Sequence, residues 1–283
     1  MKRKFKHVTL FFVISCVWTW VFYSAIILFG LSPYTGVGMI LFICGGCSPT
    51  FVGLIIVLVT YNKAEKLDYL KRCYQVKRIK AGWWLFILLI FPAIYAISIM
   101  IGQLMGGVLP EMANIKAVLQ NPISFIPLLL ISFMSGPFSE ELGWRGYALK
   151  PLLDKLGFTK ASVLIGVIWG IWHWPLFFMP ETWHGQMGFK LAGFWMFMLS
   201  SVGQAIIISF VFIKTNQSIL SSMLLHLGLN FTGQMLAKTS DTVETTANLL
   251  AVVIGIALCL YQYQGGEKLN VLNHTNVTEH QRH

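Results

Sequence analysis

The chain has 283 residues, 56% of them hydrophobic and 11% charged, with a mean hydropathy of +0.68. Soluble domains carry roughly a quarter charged residues, so this composition excludes a soluble domain and fits a polytopic membrane protein. The net charge of +10 sits in clusters between apolar runs, which makes it a topology signal and a contact for membrane lipids, and argues against nucleic acid as a partner.

Crossing a hydrocarbon core of about 30 Å takes about 20 helical residues. Apolar runs of that size lie near 8–30, 37–60, 82–106, 122–142, 160–180, 189–213, 217–237 and 246–264. The expected fold is therefore all-α, a polytopic transmembrane helical bundle of about eight helices. One membrane domain should cover 1–264, with a polar cytoplasmic tail over 265–283.

The first run follows Lys2, Arg3, Lys4 and Lys6. It outlasts a signal-peptide core of about 7–15 residues and is expected to stay as the first helix. The second run holds Cys44-Gly45-Gly46-Cys47, Pro49 and Gly53, small and helix-loosening residues that suit close packing better than redox or metal chemistry. The cysteines number five, and no disulfide framework follows from them. The loop 61–81 carries seven basic and two acidic residues and reads as a short amphipathic helix at the cytoplasmic surface. Trp83 and Trp84 then mark re-entry at the headgroups. With the N-terminus inside and eight crossings, 18 Lys and Arg fall inside, among them Arg145, against Lys116, Lys190 and Lys238 outside. Both termini are expected in the cytoplasm. The segment from Arg145 to Lys160 reads as a basic cytoplasmic stretch, with Leu152, Leu153 and Leu156 lying along the interface.

The run from Pro122 to Phe138 has no charged residue and ends in Ser139-Glu140-Glu141-Leu142-Gly143-Trp144-Arg145-Gly146. Ionisable groups at membrane depth are costly and are usually retained for function. Glu141 and Arg145, four apart, share a helical face in the favourable order and read as an ion pair. Glu140 points elsewhere and is left as the uncommitted carboxylate. His173 lies in the fifth run, and His226 and Asn230, again four apart, lie in the seventh. Gathering Glu140, His173, His226 and Asn230 around one polar cavity lets each satisfy the others. Counting at about 1.5 Å per residue puts Glu140 roughly 27 Å below the outer face, and His226 and His173 about 13 and 20 Å above the cytoplasmic one. Helix tilt of up to about 40° can absorb the mismatch. The expectation is one cavity open to the cytoplasm, with side-chain tips within roughly 8 Å. Its chemistry would be a carboxylate that takes a proton from water, imidazole donors, and an amide that stabilises an oxyanion.

Glu140-Glu141-x-x-x-Arg145, Trp169-x-x-x-His173 and His226-x-x-x-Asn230 together resemble the motifs of the CPBP family of intramembrane proteases, which includes the CAAX prenyl endopeptidases and the bacterial Abi proteins. The likeness covers about 120–235, and Trp169 stands where that family usually has Phe. The resemblance implies that Glu140 is the general base, that His173 helps to orient the water, that His226 and Asn230 form an oxyanion hole, and that Glu141 and Arg145 brace the site. It also implies a peptide or membrane-protein substrate and a multi-pass protein, expected in a bacterial plasma membrane. No cofactor is expected. A divalent metal such as zinc is the alternative, but a compact His-Glu-x-x-His sequence is absent and Asn230 is a poor zinc ligand. A non-catalytic immunity or scaffold protein, or a transporter or proton relay, would use the same polar cluster differently. Reporter fusions after positions 70 and 155 should report cytoplasm, and fusions near 114 and 184 the outside. A cytoplasmic signal at 184 contradicts the eight-helix topology.

Overall fold

The computed structural model describes residues 2–189, 191–236 and 239–264. Lys190, Lys238 and the tail, with its Asn273 and Asn276 glycosylation-pattern matches, lie outside the described residues. Among the described residues the structure is helical, without strands. All eight apolar runs fall on helices. Among the described residues five helices are long and apolar enough to cross a membrane by themselves, and six if one bent pair counts as a single span.

Helix α1 (Lys2–Leu28) packs against α2 (Gly36–Gly46), α3 (Ser48–Thr60) and α9 (Leu149–Trp172). Its residues segregate in the reverse of a soluble helix. Leu10, Val13, Val17 and Val21 are exposed, while Phe11, Ser15, Thr19 and Tyr23 are buried. Exposed aliphatic stripes over buried hydroxyls suit lipid outside and hydrogen-bonded packing inside. The run 37–60 is not one straight helix: α2 and α3 meet at 46°. Trp18 and Thr19 donate to the carbonyls of Cys44 and Gly45 at 3.1 and 2.7 Å, and a Cβ on Gly45 would lie 2.6 Å from the Tyr23 ring. The small residues of this stretch are thus used for packing at a break, with both cysteines free.

Small residues also set the contacts of α9, α11 (Leu191–Lys214) and α13 (Asp241–Gln264). Cβ atoms on Gly166 and Gly203 would sit 2.5 Å from Val202 Cα and 2.6 Å from Ala251 O. Helix α13 buries Val243, Ala247, Ala251 and Gly255, a repeat of four that keeps one side narrow. Helix α12 (Ile219–Leu236) lies against α5 (Ala81–Leu104) and α7 (Phe125–Phe133).

The carboxylate motif does not end a helix at 142. Helical structure continues from Pro122 to Phe178, kinked at Gly157 and widened by π-helical turns at Met134–Phe138 and Trp144–Ala148. Helix α8 (Ser139–Gly143) lies between those turns. Proline at 137 withholds one N–H and the wide turns misalign others, so carbonyls are freed. Neighbouring side chains take them. Thr50 donates to Phe138 O at 2.9 Å, Tyr69 to Leu142 O at 2.7 Å and Arg72 to Gly146 O at 3.3 Å. Glycines permit the approach: a Cβ on Gly143 would lie 2.1 Å from Pro49 O.

The expected surface helix is α4 (Lys63–Tyr74), started by an Asn62/Glu65 capping box. Its inner face carries Tyr69 and Arg72, both nearly fully buried. Arg78, just beyond it, donates to Asn216 O at 2.9 Å, holding the turn of positive-φ residues Asn216 and Gln217 that leads into α12.

Three readings change. Arg145 is fully buried and Leu152 and Leu153 lie in the core, whereas Asp154, Lys155, Thr159 and Lys160 are exposed, so the basic stretch begins inside the protein and only its second half faces outward. The fifth run is α-helical only to Trp172 and goes on as a 3-10 helix over Trp174–Phe178, and the break between the fourth and fifth runs falls at Gly157 with φ 74°. The connection near 109–122 contains a helix, α6 (Ala113–Gln120).

Burial holds the Tyr69 phenol above its ordinary range, so it remains a donor at physiological pH. Tyr69→Phe keeps the ring and strands Leu142 O. It should lower stability by about 1 to 3 kcal/mol, read as a lower thermal midpoint of the purified protein in detergent. An unchanged midpoint would mean the freed carbonyl has another partner.

Candidate active site

Glu140 and Glu141 sit on α8, 3% and 0% exposed, between the two π turns. Being adjacent in a helix, they face different neighbours. Glu141 Oε1 accepts from Arg145 Nη1 at 2.7 Å, the pair expected from the spacing. The same oxygen also accepts from His226 Nδ1 at 2.9 Å. The guanidinium lies over the Trp169 ring, 5.3 Å from its centroid. A carboxylate accepts only, so His226 Nδ1 donates and its Nε2 carries a proton only when the ring is doubly protonated.

Glu140 is not uncommitted. Its Oε2 accepts from the indole of Trp169 at 2.5 Å and, more weakly, from that of Trp144 at 3.3 Å. Neither indole was assigned as a partner from the sequence. Trp144 is four residues from Glu140, a spacing that could have suggested it. For Trp169 the signal was its N–H at a position where Phe would bring none.

His226 Nε2 and Asn230 Nδ2 converge on the first π turn. Each would be 2.6 Å from a Cβ on Gly136, so only glycine leaves both nitrogens room. His226 is 3% exposed, and its ring meets the Trp169 ring edge-on at 5.3 Å.

His173, at the end of α9, is half-buried. Its Nδ1 lies 2.7 Å from Trp169 O. A carbonyl only accepts, so Nδ1 donates and the neutral ring keeps its lone pair on Nε2. The ring contacts that of Trp169 at 5.6 Å. Helix α10 (Trp183–Met187) brings a residue that the sequence did not single out. His184 stacks on His173 at 5.3 Å, with ring planes 26° apart. Burial, and then the neighbouring His173, hold the His184 imidazole well below its ordinary range, so it is neutral at pH 7.

Glu140, His173 and His226 gather around Trp169, and Asn230 meets His226 at Gly136. His226 bonds to Glu141, and the contacts from Glu140 to His173 run through the Trp169 indole and carbonyl. The depth mismatch explains this. Trp169 lies one turn, about 6 Å, nearer Glu140 along α9 than His173 does, and a tryptophan is long enough to fill that step.

Among the described residues no group of three or more His, Cys, Asp or Glu side chains is placed to hold a metal ion. Zinc needs donors about 2.0–2.2 Å from one centre, whereas the Trp169 ring packs against both His173 and His226. That donor set does not fit zinc.

Residues 122–232 match the family model described as Type II CAAX prenyl endopeptidase Rce1-like. That stretch contains Glu140, Glu141, Arg145, His173, His226 and Asn230. The chain is also 29% identical, over 231 residues, to the CAAX prenyl protease 2 of Methanococcus maripaludis, covering 81% of this chain and 84% of that protein.

Arg145→Ala leaves Glu141 buried without its guanidinium and should cost roughly 3–5 kcal/mol, seen as loss of folded protein on size-exclusion chromatography. Glu140→Gln keeps the shape and should leave the elution profile and thermal midpoint unchanged. The reverse pattern would exchange the roles of the two carboxylates.

Proposed function

We infer that this chain, which carries an Rce1-like CAAX prenyl endopeptidase domain, is an intramembrane endopeptidase acting on a peptide or protein substrate, and that Glu140 activates the attacking water. The observation that carries the reading is a buried carboxylate with one oxygen tied by indole N–H groups, set among two imidazoles and an amide inside an apolar bundle. A fixed carboxylate facing converging donors suits activation of a water and stabilisation of an oxyanion.

In the proposed reaction Glu140 takes a proton from water while the water oxygen bonds to the scissile carbonyl carbon. His173 accepts a hydrogen bond from that water at Nε2 and orients it. The carbonyl oxygen becomes an oxyanion opposite His226 Nε2 and Asn230 Nδ2. For His226 to donate there it must carry a second proton. Collapse of the tetrahedral species breaks the C–N bond, and Glu140 passes its proton to the leaving nitrogen.

The rim beside His173 and His184 is aromatic and exposed, with Trp174, Phe178, Trp183 and Phe189 open. It is suited to an apolar or lipid-bearing substrate segment. Membrane lipids would cover the aliphatic stripes, and the termini would lie in the cytoplasm as the charge distribution indicates.

Activity should be measured with full-length protein in liposomes on an internally quenched peptide ending in a farnesylated CAAX sequence, beside the same peptide without the lipid. Cleavage should survive exhaustive chelation and fall at least about a hundredfold in Glu140→Gln. Activity lost with a stoichiometric metal and restored by its return would overturn the glutamate mechanism.

A further inference from the structure

We propose that Trp169 is a positioning residue for Glu140: its indole N–H fixes Oε2, so that Oε1 is the oxygen that addresses the water. The proposal rests on the reading of Glu140 as the base and assigns what sets that base's geometry.

A glutamate carboxylate turns easily about its last torsion, and its two oxygens are equivalent unless something distinguishes them. Here both indole donors meet the same oxygen, Trp169 at 2.5 Å and Trp144 at 3.3 Å. Two donors on Oε2 oppose the flip that would exchange it with Oε1. The shorter bond belongs to Trp169, whose ring is packed by the other charged and imidazole groups of the site. The Arg145 guanidinium lies over that ring at 5.3 Å, and the rings of His226 and His173 stand edge-on to it at 5.3 and 5.6 Å. Trp169 is 3% exposed. The helix beneath it is seated by glycines, since a Cβ on Gly166 or Gly170 would collide with α11 at 2.5 and 2.8 Å. Its carbonyl takes His173 Nδ1 at 2.7 Å. One residue thus relates the base, the water-orienting imidazole and the oxyanion-side imidazole, using three separate parts: N–H, carbonyl and ring.

Those parts can be separated experimentally. Trp169→Phe keeps the carbonyl and a ring, and removes the N–H. Trp169→Ala removes the ring as well. The proposal expects Trp169→Phe to lower kcat by about tenfold or more with KM unchanged, because the loss falls on the base and not on substrate contacts, while the thermal midpoint falls only as far as the smaller ring and the lost hydrogen bond require. Trp169→Ala should also lower the midpoint. Wild-type kcat in Trp169→Phe, with Glu140→Gln inactive, overturns the positioning role and leaves the base assignment standing. Activity in Glu140→Gln removes the base assignment and the proposal together. Ultraviolet resonance Raman spectra decide the contact without a substrate. The wild-type minus Trp169→Phe difference should contain a strongly hydrogen-bonded indole N–H band, and that band should shift in Glu140→Gln. A free-indole band, or no shift, contradicts the proposal, and the shift in Glu140→Gln is readable even if Trp169→Phe does not fold.

Discussion

A charge taken into this bundle must be answered by another buried group, and Glu141 is where most of the answering is done. One of its oxygens holds both Arg145 and His226, which joins the carboxylate helix to α12 across 85 residues of chain. Arg145 in turn lies over Trp169, which draws α9 to the same point. Removing any one of these charges would leave the others uncompensated where water cannot replace them. Glu140 is relieved of that task, and its contacts are with neutral indole donors.

Such a site needs a backbone that departs from regular helix. The π turns on either side of Glu140 and Glu141 turn adjacent residues toward different neighbours and leave carbonyls that a straight helix would have used. Thr50, Tyr69 and Arg72 take those carbonyls. The irregular turns and the side chains that satisfy them therefore form one unit. The amphipathic helix α4, which would otherwise be only a surface feature, becomes part of the support for the carboxylate motif.

The sequence made the membrane bundle legible because apolar length is a direct physical requirement of crossing lipid. The Glu141–Arg145 pair was legible because four residues is one helical turn. What escaped came from neighbours distant in sequence. That His226 Nδ1 would choose Glu141 depends on how α12 packs, and α12 is held by Arg78 at a turn with no sequence signature of its own. The burial of Arg145 was hidden because a basic residue after an apolar run reads as a membrane exit, while the helical track in fact continues through it. His184 lies on a short helix outside the expected spans, where a lone histidine carries no signal. Trp169 was noticed as an aromatic, but its N–H matters only once Glu140 is known to lie within reach.

The central claim is a division of labour between adjacent carboxylates, with Glu141 holding helices together and Glu140 acting on water. Replacing Glu141 with Gln tests it most directly, with turnover and thermal midpoint measured on one preparation beside Glu140→Gln. The account predicts that Glu141→Gln loses thermal stability, and that Glu140→Gln loses turnover at an unchanged midpoint. A stable, inactive Glu141→Gln together with an active Glu140→Gln would contradict it.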